Sequence, residues 1–575
     1  MKWNILNQIQ DARFKTQDAN SVIIPILLGN RGLKTKKQQE EFLHPSLKQL
    51  ERDFFDKKQL KKAIERIKKA LEQKEQIVVY SDYDVDGITG TAILWETLHS
   101  LQAKVMPFVP DRFKHGYGLS KKGIADILKS YPETKLIITV DNGITASDEV
   151  ALLKEKGIDV IITDHHTIPK NVPRALAIIH TTELSGSGVA YVFSKEVTKR
   201  HPEPASPAGR LDLGSNRFRI KSGMTNDDHL ALAAIGTIAD LVPLVGVNRV
   251  IAKFGLEALN KTKRIGLRAL LTICGLDLGT IDAYHIGFVI APRINASGRL
   301  SQGLKALQLL CTKDTRRAMR LADHLNTLNI QRQDMMREAF EHAQSMVSGD
   351  SHLLFVAHES YHEGIIGLVA GNLVDRFYRP AVVVSIGKEF SKASARSIRG
   401  VNIHTLLQKA AGEFANFGGH PMAAGFSIAT NKLEEIEKRL YAIFSKEIDE
   451  KVFSRELTID CTLHFSNITP NLMEQIKYLK PFGTGNHEPV FVSKQVTVTD
   501  ARLVGREANH MKITVKQGNV SREGIGFNLA QSVPLPKPGD KVALAYAVIE
   551  NEWNGKTTLQ LKVKDIHTPT SLQVV

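Results

Sequence analysis

The chain has 575 residues, too many for one ordinary domain, and its length predicts roughly three or four domains. Lys and Arg number 76 against 61 Asp and Glu, and the formal net charge of +15 favours a polyanionic partner, nucleic acid first. The three cysteines form no C-x-x-C pair, which argues against a disulfide framework or a zinc knuckle. The longest apolar runs are far too short to span a bilayer, so we expect a soluble, untargeted cytoplasmic protein without membrane attachment.

The first elements along the chain are typical of a parallel sheet. Apolar residues from Leu60 to Leu71 follow helical spacing, with lysines between them, and predict an amphipathic helix. Short β-rich runs then alternate with helical stretches. Strands are predicted over residues 77–80, 105–109, 136–140, 160–163 and 176–179. This alternation indicates an α/β domain whose parallel strands carry helices on both faces.

Three later regions differ in pattern. Residues 200–226 are rich in Pro, Gly, Ser and Arg without a period, and we predict a surface loop or insertion. Residues 304–346 carry apolar residues near helical spacing and no proline, as expected of a long connecting helix. A second α/β pattern runs from residue 353 to about 445. Beyond residue 456, short strands joined by turns favour a small barrel.

Acidic side chains follow the ends of three predicted strands. The first strand leads into Asp82, Asp84 and Asp86, and two further strands lead into Asp141 and into the run 164–166 (Asp-His-His). Ligands bind beyond the carboxyl ends of parallel strands, so we expect these groups to converge in one cleft. A single Asp after a strand more often caps a helix or forms a turn. Three such strand ends favour a joint site, because buried charges need partners or metals.

The residue types at this site suit a hard divalent cation. Carboxylate and imidazole ligands without thiolate favour Mn²⁺ or Mg²⁺ over zinc. An Asp that bridges two such ions about 4 Å apart would let them activate water for attack on phosphorus. The sequence therefore predicts a site for two divalent metal ions.

The same motifs resemble those of the DHH phosphoesterase superfamily: Asp82-x-Asp84-x-Asp86-Gly87, Asp141-Asn142-Gly143 and Asp164-His165-His166. Residues 235–240 resemble the next motif. The resemblance implies that two metal ions are held by Asp82, Asp84, Asp86, Asp141, His165 and Asp240, with Asp141 as the bridge. It also implies that His166 lies beside the scissile phosphate, as a ligand or as an aid to protonation of the leaving group. A supporting hydrogen bond is the alternative role for His166.

Later segments resemble the RecJ branch of this superfamily across nearly the whole chain. They are residues 111–113, 116–118, 292–299, 362–367, 394–397 and 417–421. The resemblance implies that a pocket for the terminal 5′ phosphate is formed by Arg112, Tyr117, Ser394 and Arg396.

Two further roles follow from the same resemblance. Arg299 would face the phosphate in flight and stabilise its negative charge, unless it forms a structural salt bridge. Gly418, Gly419 and His420 would make a chain turn that admits a nucleotide between domains, and a plain tight turn explains the glycines nearly as well.

The expected fold class is α/β, with a DHH-type parallel-sheet domain joined by a long helix to an α/β DHHA1 domain and followed by an OB-like β-barrel. The expected bounds are 1–50 for an N-terminal segment, 51–302 for the DHH catalytic domain, 303–348 for the connecting helix, 349–450 for DHHA1 and 451–575 for the OB-like domain. In the barrel, Phe491, Phe527 and Trp553 are candidate stacking platforms for bases, and core packing is the favoured role of any one of them.

The resemblance implies a metal-dependent exonuclease that degrades single-stranded DNA from 5′ to 3′, releases 5′ mononucleotides and works in DNA repair and recombination. It implies a monomer that works beside a single-strand-binding protein and a helicase. One alternative is a DHH enzyme for small substrates such as cyclic dinucleotides or nanoRNA, which need no OB-like domain. Another is a non-catalytic DNA-binding relative, which the intact acids at every metal position disfavour.

Overall fold

The computed structural model describes residues 1–7, 19–200, 226–347, 350–553 and 555–567. The strands are β1 (Lys2–Ile5), β2 (Gln76–Ser81), β3 (Val105–Phe108), β4 (Thr134–Val140), β5 (Asp159–Asp164), β6 (Ala177–His180), β7 (Leu354–His358), β8 (Ala381–Ser385), β9 (Phe390–Arg396), β10 (Asn416–His420), β11 (Ala423–Ala429), β12 (Glu456–Ile459), β13 (Cys461–Thr462), β14 (Phe491–Val504), β15 (His510–Gln517), β16 (Val520–Gly526), β17 (Lys541–Trp553) and β18 (Lys556–His567).

The helices are α1 (Ala19–Asn30), α2 (Lys36–Leu43), α3 (Lys57–Glu72), α4 (Val85–Ser100), α5 (Lys121–Ser130), α6 (Ser147–Glu155), α7 (Gly186–Arg200), α8 (Asn226–Ala239), α9 (Gly246–Leu259), α10 (Ile265–Ile273), α11 (Ala283–His285), α12 (Ala291–Leu300), α13 (Leu304–Cys311), α14 (Thr315–Met346), α15 (Ile366–Phe377), α16 (Ile403–Gln408), α17 (Leu433–Glu447) and α18 (Pro470–Tyr478). A π-helical turn, Ile286–Ile290, leads into α12. None of these helices is long and apolar enough to cross a membrane.

The chain divides into two compact units. The small unit comprises Met1–Gln49, Pro243–Val250 and Arg455–Val575, and the large unit comprises Leu50–Val242 and Ile251–Ser454. The insertion expected at residues 200–226 lies outside the described residues, apart from its first and last residue.

The first sheet of the large unit has the strand order β3-β2-β4-β5-β6, and all neighbours are parallel. Every residue of β2 is buried, as expected of a strand covered on both faces. This confirms the parallel sheet predicted from the alternating pattern. The carboxyl ends of β2, β4 and β5 are adjacent, so the side chains that follow these strands meet at one edge.

The second sheet of the large unit has the order β10-β11-β9-β8-β7, with only β7 and β8 parallel. The segment expected as one connecting helix contains two helices, α13 and α14. The break is explained by Asp314, whose Oδ1 accepts a hydrogen bond from Arg317 N at 2.8 Å and so begins a new helix.

The small unit contains the barrel. Its sheet has the order β13-β14-β15-β16-β18-β17 and is closed by pairing of β14 with β17, which confirms the OB-like barrel. Phe491 is 0% exposed in the barrel core, so of its two expected roles it has core packing and is not a stacking platform. Phe527 is 58% exposed, and the side chain of Trp553 lies outside the described residues.

Arg249 stabilises the small unit from within. Its guanidinium donates hydrogen bonds of 2.8 to 2.9 Å to the backbone carbonyls of Phe42, Tyr478 and Leu479. The side chain is 1% exposed and lies 3.8 Å from the centre of the Phe42 ring. Burial, and next the charge of Arg31, lower the pKa of Arg249 to about 10.

We expect Arg249→Met to lower the free energy of unfolding by about 3 kcal/mol, because three buried carbonyl groups lose their donor. Thermal unfolding followed by calorimetry checks this. Arg502→Met, at an exposed position of the same unit, is the matched control. Equal transition midpoints for the two variants would contradict the role given to Arg249.

Candidate active site

The loop after β2 presents its acids through local hydrogen bonds. Asp84 caps α4, because its Oδ1 accepts from Gly87 N at 3.0 Å, and Asp82 Oδ1 accepts from Tyr83 N at 2.6 Å. In each case backbone donors occupy only part of the carboxylate's capacity to accept hydrogen bonds.

Asp86 is held from a different direction. Its two carboxylate oxygens accept from the backbone N–H groups of Gly186 at 2.6 Å and Ser187 at 3.0 Å, at the N-terminus of α7. Those N–H groups have no partner within their own helix, and the helix dipole favours a negative charge there. Asp86 is thereby fixed with α7 on one side and the remaining acids on the other.

Asp141, His165 and Asp240 meet at the centre of the cluster. Asp141 follows β4 in the left-handed conformation, with φ of 63°. His165 Nε2 lies 3.2 Å from Asp141 Oδ1 and 3.6 Å from Asp240 Oδ2. The contact between Asp141 Oδ1 and His165 Nε2 is not a hydrogen bond, and neither atom has another hydrogen-bond partner within the described part of the chain, although both are buried. Buried polar atoms without partners are rare in proteins and are expected where an ion binds.

The acids and histidines fall into three overlapping groups whose ligand atoms lie within 4.8 Å of one another. These groups are Asp82, Asp84 and Asp141; Asp86, His165 and Asp240; and Asp141, His165 and His166. Asp141 and His165 each belong to two groups. The structure thus brings together all six residues that the sequence predicts as metal ligands, and it places His166 beside them.

The electrostatics of the cluster favour cations. Burial, and next the neighbouring carboxylates, raise the pKa of Asp82, Asp84 and Asp141, and they raise the pKa of Asp240 to about 9. Burial lowers the pKa of His165, which keeps its imidazole neutral and able to ligate. Deprotonated carboxylates at such short range require a compensating positive charge. The all-oxygen and imidazole donor set fits Mn²⁺ or Mg²⁺.

His166 is oriented by Asp164. His166 Nδ1 donates to Asp164 Oδ1 at 2.7 Å, and Asp164 Oδ2 accepts from Ile144 N at 2.9 Å. Burial alone would lower the pKa of His166, but the hydrogen bond to Asp164 together with the charges of Asp164, Asp240 and Asp82 outweighs burial and raises the pKa to about 9. The opposite ring nitrogen, Nε2, lies 3.3 Å from the Tyr117 hydroxyl. Asp164 thus fixes the orientation of the imidazole at the wall of a cleft.

That cleft is a cavity of about 890 Å³ within the large unit. Its lining includes every residue that the sequence predicts for substrate binding, together with Arg299 and His166: Arg112, Tyr117, His166, Arg299, Ser394, Arg396, Gly418, Gly419 and His420. One wall contains Asp164 and His166, and His166 connects it to the cluster, whose six predicted metal ligands are not themselves among the lining residues; the opposite wall comes from the second sheet.

The opposite wall contains a compact anion pocket. Arg396 Nη1 donates to Ser394 Oγ at 3.1 Å, and both side chains face Gly367 in the first turn of α15. A Cβ on Gly367 would lie 2.8 Å from Arg396 Nη2, so only glycine leaves the guanidinium in place. Burial, and next the charge of Arg112, lower the pKa of Arg396. Neither Arg112 nor Arg396 forms an ion pair with a carboxylate among the residues described, and Arg299 lines the same cavity, so the pocket has an excess of positive charge.

Arg299 is also free of carboxylate partners in the described chain, which removes the structural salt bridge as its role; its Nη1 donates to Gly364 O at 3.2 Å. Helix α12 carries Arg299 and is anchored to the acidic loop, because Asn295 Oδ1 accepts from Val85 N at 3.1 Å. Burial, and next Arg112, lower the pKa of Arg299 to about 10.

The turn predicted at Gly418 to His420 is wrong. These residues belong to strand β10, which pairs with β11 in antiparallel register, and the chain reverses at Pro421 and Met422. Two glycines in sequence suggest a turn, but here the pairing with β11 holds them extended. Their backbone is exposed along the cleft, where a ligand can approach closely.

Sequence reasoning gave no role to several residues that position the site. Asp164 orients His166, Asn295 anchors α12, and Gly186 approaches Asp141 so closely that a Cβ there would collide with its carboxylate. Asp164 was visible as the first residue of the Asp-His-His motif. Asn295 and Gly186 act through contacts with residues that are distant in sequence, and no local sequence pattern predicts such contacts.

Comparison with known proteins agrees with this geometry. The chain matches the DHH family N-terminal domain over residues 76–212, the DHHA1 domain over 350–446 and the RecJ OB domain over 459–565. It is 36% identical to the single-stranded-DNA-specific exonuclease RecJ of Bacillus subtilis, over 98% of this chain and 70% of that protein.

Two crystal structures of RecJ from Thermus thermophilus have the same fold. The complex with Mn²⁺ is similar with a TM-score of 0.81 and 28% identity, over 99% of this chain and 80% of that chain. The complex with Mg²⁺ is similar with a TM-score of 0.73 and 27% identity, over 99% and 78%. The carboxylate and imidazole groups of the cluster in this chain are suited to bind the same two ions, Mn²⁺ and Mg²⁺. The resemblance seen in the motifs is confirmed, and the chain belongs to the RecJ family of single-stranded-DNA-specific exonucleases.

Proposed function

We propose that the chain is a metal-dependent exonuclease that degrades single-stranded DNA from 5′ to 3′ and releases 5′ mononucleotides. The observation that carries the proposal is that one cleft contains both His166, which belongs to the acid and histidine cluster, and the pocket of Ser394 and Arg396, whose charge no carboxylate neutralises among the described residues. A site with both features is suited to hydrolyse a phosphodiester close to a bound terminal phosphate.

The proposed metal ligands are Asp82, Asp84, Asp86, Asp141, His165 and Asp240, with Asp141 shared between two ions. Bound Mn²⁺ or Mg²⁺ supplies a nucleophilic hydroxide and neutralises phosphate charge. His166 holds a proton on a ring nitrogen aimed into the cleft, where it is placed to protonate the leaving oxygen. Arg299 directs its positive charge at the phosphate as negative charge develops on it.

The anion pocket explains why cleavage would begin at an end. A terminal phosphate carries more charge than an internal diester and accepts bidentate hydrogen bonds from arginine. With Arg112, Tyr117, Ser394 and Arg396 around it, and the exposed backbone of Gly418, Gly419 and His420 beside it, the terminal nucleotide would lie between the pocket and the metal cluster. We further propose a cytoplasmic monomer that works in DNA repair and recombination beside a single-strand-binding protein and a helicase.

Arg396→Ala is expected to remove the preference for a phosphorylated end. The wild-type protein should cleave 5′-phosphorylated oligonucleotides faster than 5′-hydroxyl ones, and loss of a buried charge-assisted contact of about 2 kcal/mol should reduce that preference roughly 30-fold. Competition between the two substrates measures the ratio of kcat/KM directly. Arg399→Ala, an exposed arginine three residues away, is the control. An equal loss of kcat/KM on the phosphorylated and the unphosphorylated substrate would contradict the assignment of this pocket to the terminal phosphate.

Substrate comparison tests the function itself. Rates are measured on linear single-stranded DNA, on blunt duplex DNA and on a cyclic dinucleotide under the same metal concentration. Preference for the linear single strand is expected. Hydrolysis of the cyclic dinucleotide alone would replace this function with that of a small-substrate phosphodiesterase.

A further inference from the structure

Two exposed aromatic side chains outside the cleft stack on one another. Tyr284 is 61% exposed and Phe288 is 71% exposed, with ring centres 4.9 Å apart and ring planes 27° apart. Single exposed apolar residues are ordinary, whereas a stacked exposed pair leaves a flat apolar surface open to a further ring. Phe288 lies in the π-helical turn that leads into α12, and such turns are frequent at functional sites.

Arginines with unneutralised charge lie on α12, which follows the π-helical turn that carries Phe288, and on α14. Arg293 donates to Val289 O at 2.7 Å, next to Phe288, and to Asn326 Oδ1 at 3.0 Å. Arg332, farther along α14, donates to Asn329 Oδ1 at 3.0 Å. Both arginines bond to neutral groups, and neither has a carboxylate partner in the part of the chain that is described.

The arginines form a series that leads towards the cleft. Burial, and next the charge of Arg293, lower the pKa of Arg332. The charge of Arg332 acts in turn on Arg299, after the larger effects of burial and Arg112. Arg293 and Arg332 are held at adjacent positions along α14, because Asn326 and Asn329, which accept their hydrogen bonds, lie three residues apart on that helix. Arg299 lies on the same helix as Arg293 and lines the cavity.

We propose that Tyr284, Phe288, Arg293 and Arg332 form a second binding site for single-stranded nucleic acid, in which a base stacks on the aromatic pair and adjacent phosphates contact the arginines. The inference rests on the proposed function and extends it to the part of the strand outside the cleft. Single-stranded nucleic acid offers both a flat apolar ring and a repeated negative charge, which is the combination that this surface complements. An apolar protein partner would leave the arginines unpaired.

Removal of the aromatic surface tests the site. Phe288→Ala is expected to raise the KM for a long 5′-phosphorylated oligothymidylate about tenfold relative to the KM for a dinucleotide, the effect of losing one stacked base. The matched control is Phe390→Ala, since Phe390 is 54% exposed on β9 of the same unit. If Phe288→Ala and Phe390→Ala have the same ratio of KM values, the site is overturned.

Two variants separate the parts of the site. In Phe288→Trp, oligothymidylate is expected to quench indole fluorescence more strongly than an abasic strand of equal length, and equal quenching would overturn base stacking. Arg332→Gln should reduce the slope of log Kd against log salt by about 0.7, the value for one phosphate contact on a single strand. An unchanged slope would remove Arg332 from the site.

Failure of this inference is distinguishable from failure of the proposed function. A wild-type protein that neither binds nor cleaves single strands in the presence of Mn²⁺ would overturn both. If the wild-type protein cleaves single strands and Phe288→Ala has the wild-type ratio of KM for the long oligothymidylate to KM for the dinucleotide, only the second site is overturned.

Discussion

Asp141→Asn is expected to reduce hydrolysis of single-stranded DNA at least 1,000-fold, a loss of about 4 kcal/mol of transition-state stabilisation, while strand affinity changes less than threefold. Asp141 belongs to two of the three groups of candidate ligands, so its charge serves both proposed metal positions. Its backbone φ of 63° is tolerated by Asn, so the substitution removes the charge and leaves the chain path intact. Strand affinity should persist because it rests mostly on contacts with phosphates.

The rate is measured under saturating Mn²⁺, and the affinity by fluorescence anisotropy with a labelled oligonucleotide. Asp148→Asn, at an exposed position in α6, is the matched control and should keep the wild-type rate. If Asp141→Asn cleaved within tenfold of the wild-type rate, the shared-ligand assignment would be wrong.

Arg299→Met should lower kcat about 100- to 1,000-fold with a smaller change in KM, because its charge is proposed to act on the transition state more than on the bound strand. The arginine is in position for this role. Helix α12 is tied to the acidic loop through Asn295 and Val85, and the guanidinium lines the cleft without a carboxylate partner among the residues that the structure describes.

Single-turnover kinetics separate the effect on the chemical step from effects on binding or product release. Arg299→Lys keeps the charge without the guanidinium fork and should recover part of kcat. Arg268→Met, an exposed arginine on α10, controls for loss of charge alone. A variant Arg299→Met that raised KM with kcat unchanged would reassign Arg299 to substrate binding.

Convergence of the acids was predictable because it follows from a general property of parallel sheets. Runs of apolar residues placed the strands, and parallel order put the residues after β2, β4 and β5 at one edge. Even Asp240, which lies beyond α8 and after no strand, was found through its motif, and it lies 3.6 Å from His165. Local pattern and motif together were sufficient to assemble the cluster.

Contacts distant in sequence were not predictable in the same way. The N-terminal segment forms one unit with the barrel, because β1 pairs with β12 and α1 packs into the barrel core. The buried Arg249 also belongs to that unit, although the chain on both sides of Pro243–Val250 belongs to the other. Successive side chains of a strand point to opposite faces, so a shift of one residue in the predicted strand exchanges core and solvent positions. In the structure, Phe491 faces the core.

The most direct test is digestion of a single-stranded oligonucleotide labelled at its 3′ end, with Mn²⁺, with Mg²⁺ and with EDTA. We expect a ladder of products that shortens from the 5′ end with either ion, release of 5′ mononucleotides, and no reaction in EDTA. Equal cleavage in EDTA, or loss of the labelled 3′ nucleotide first, would contradict it.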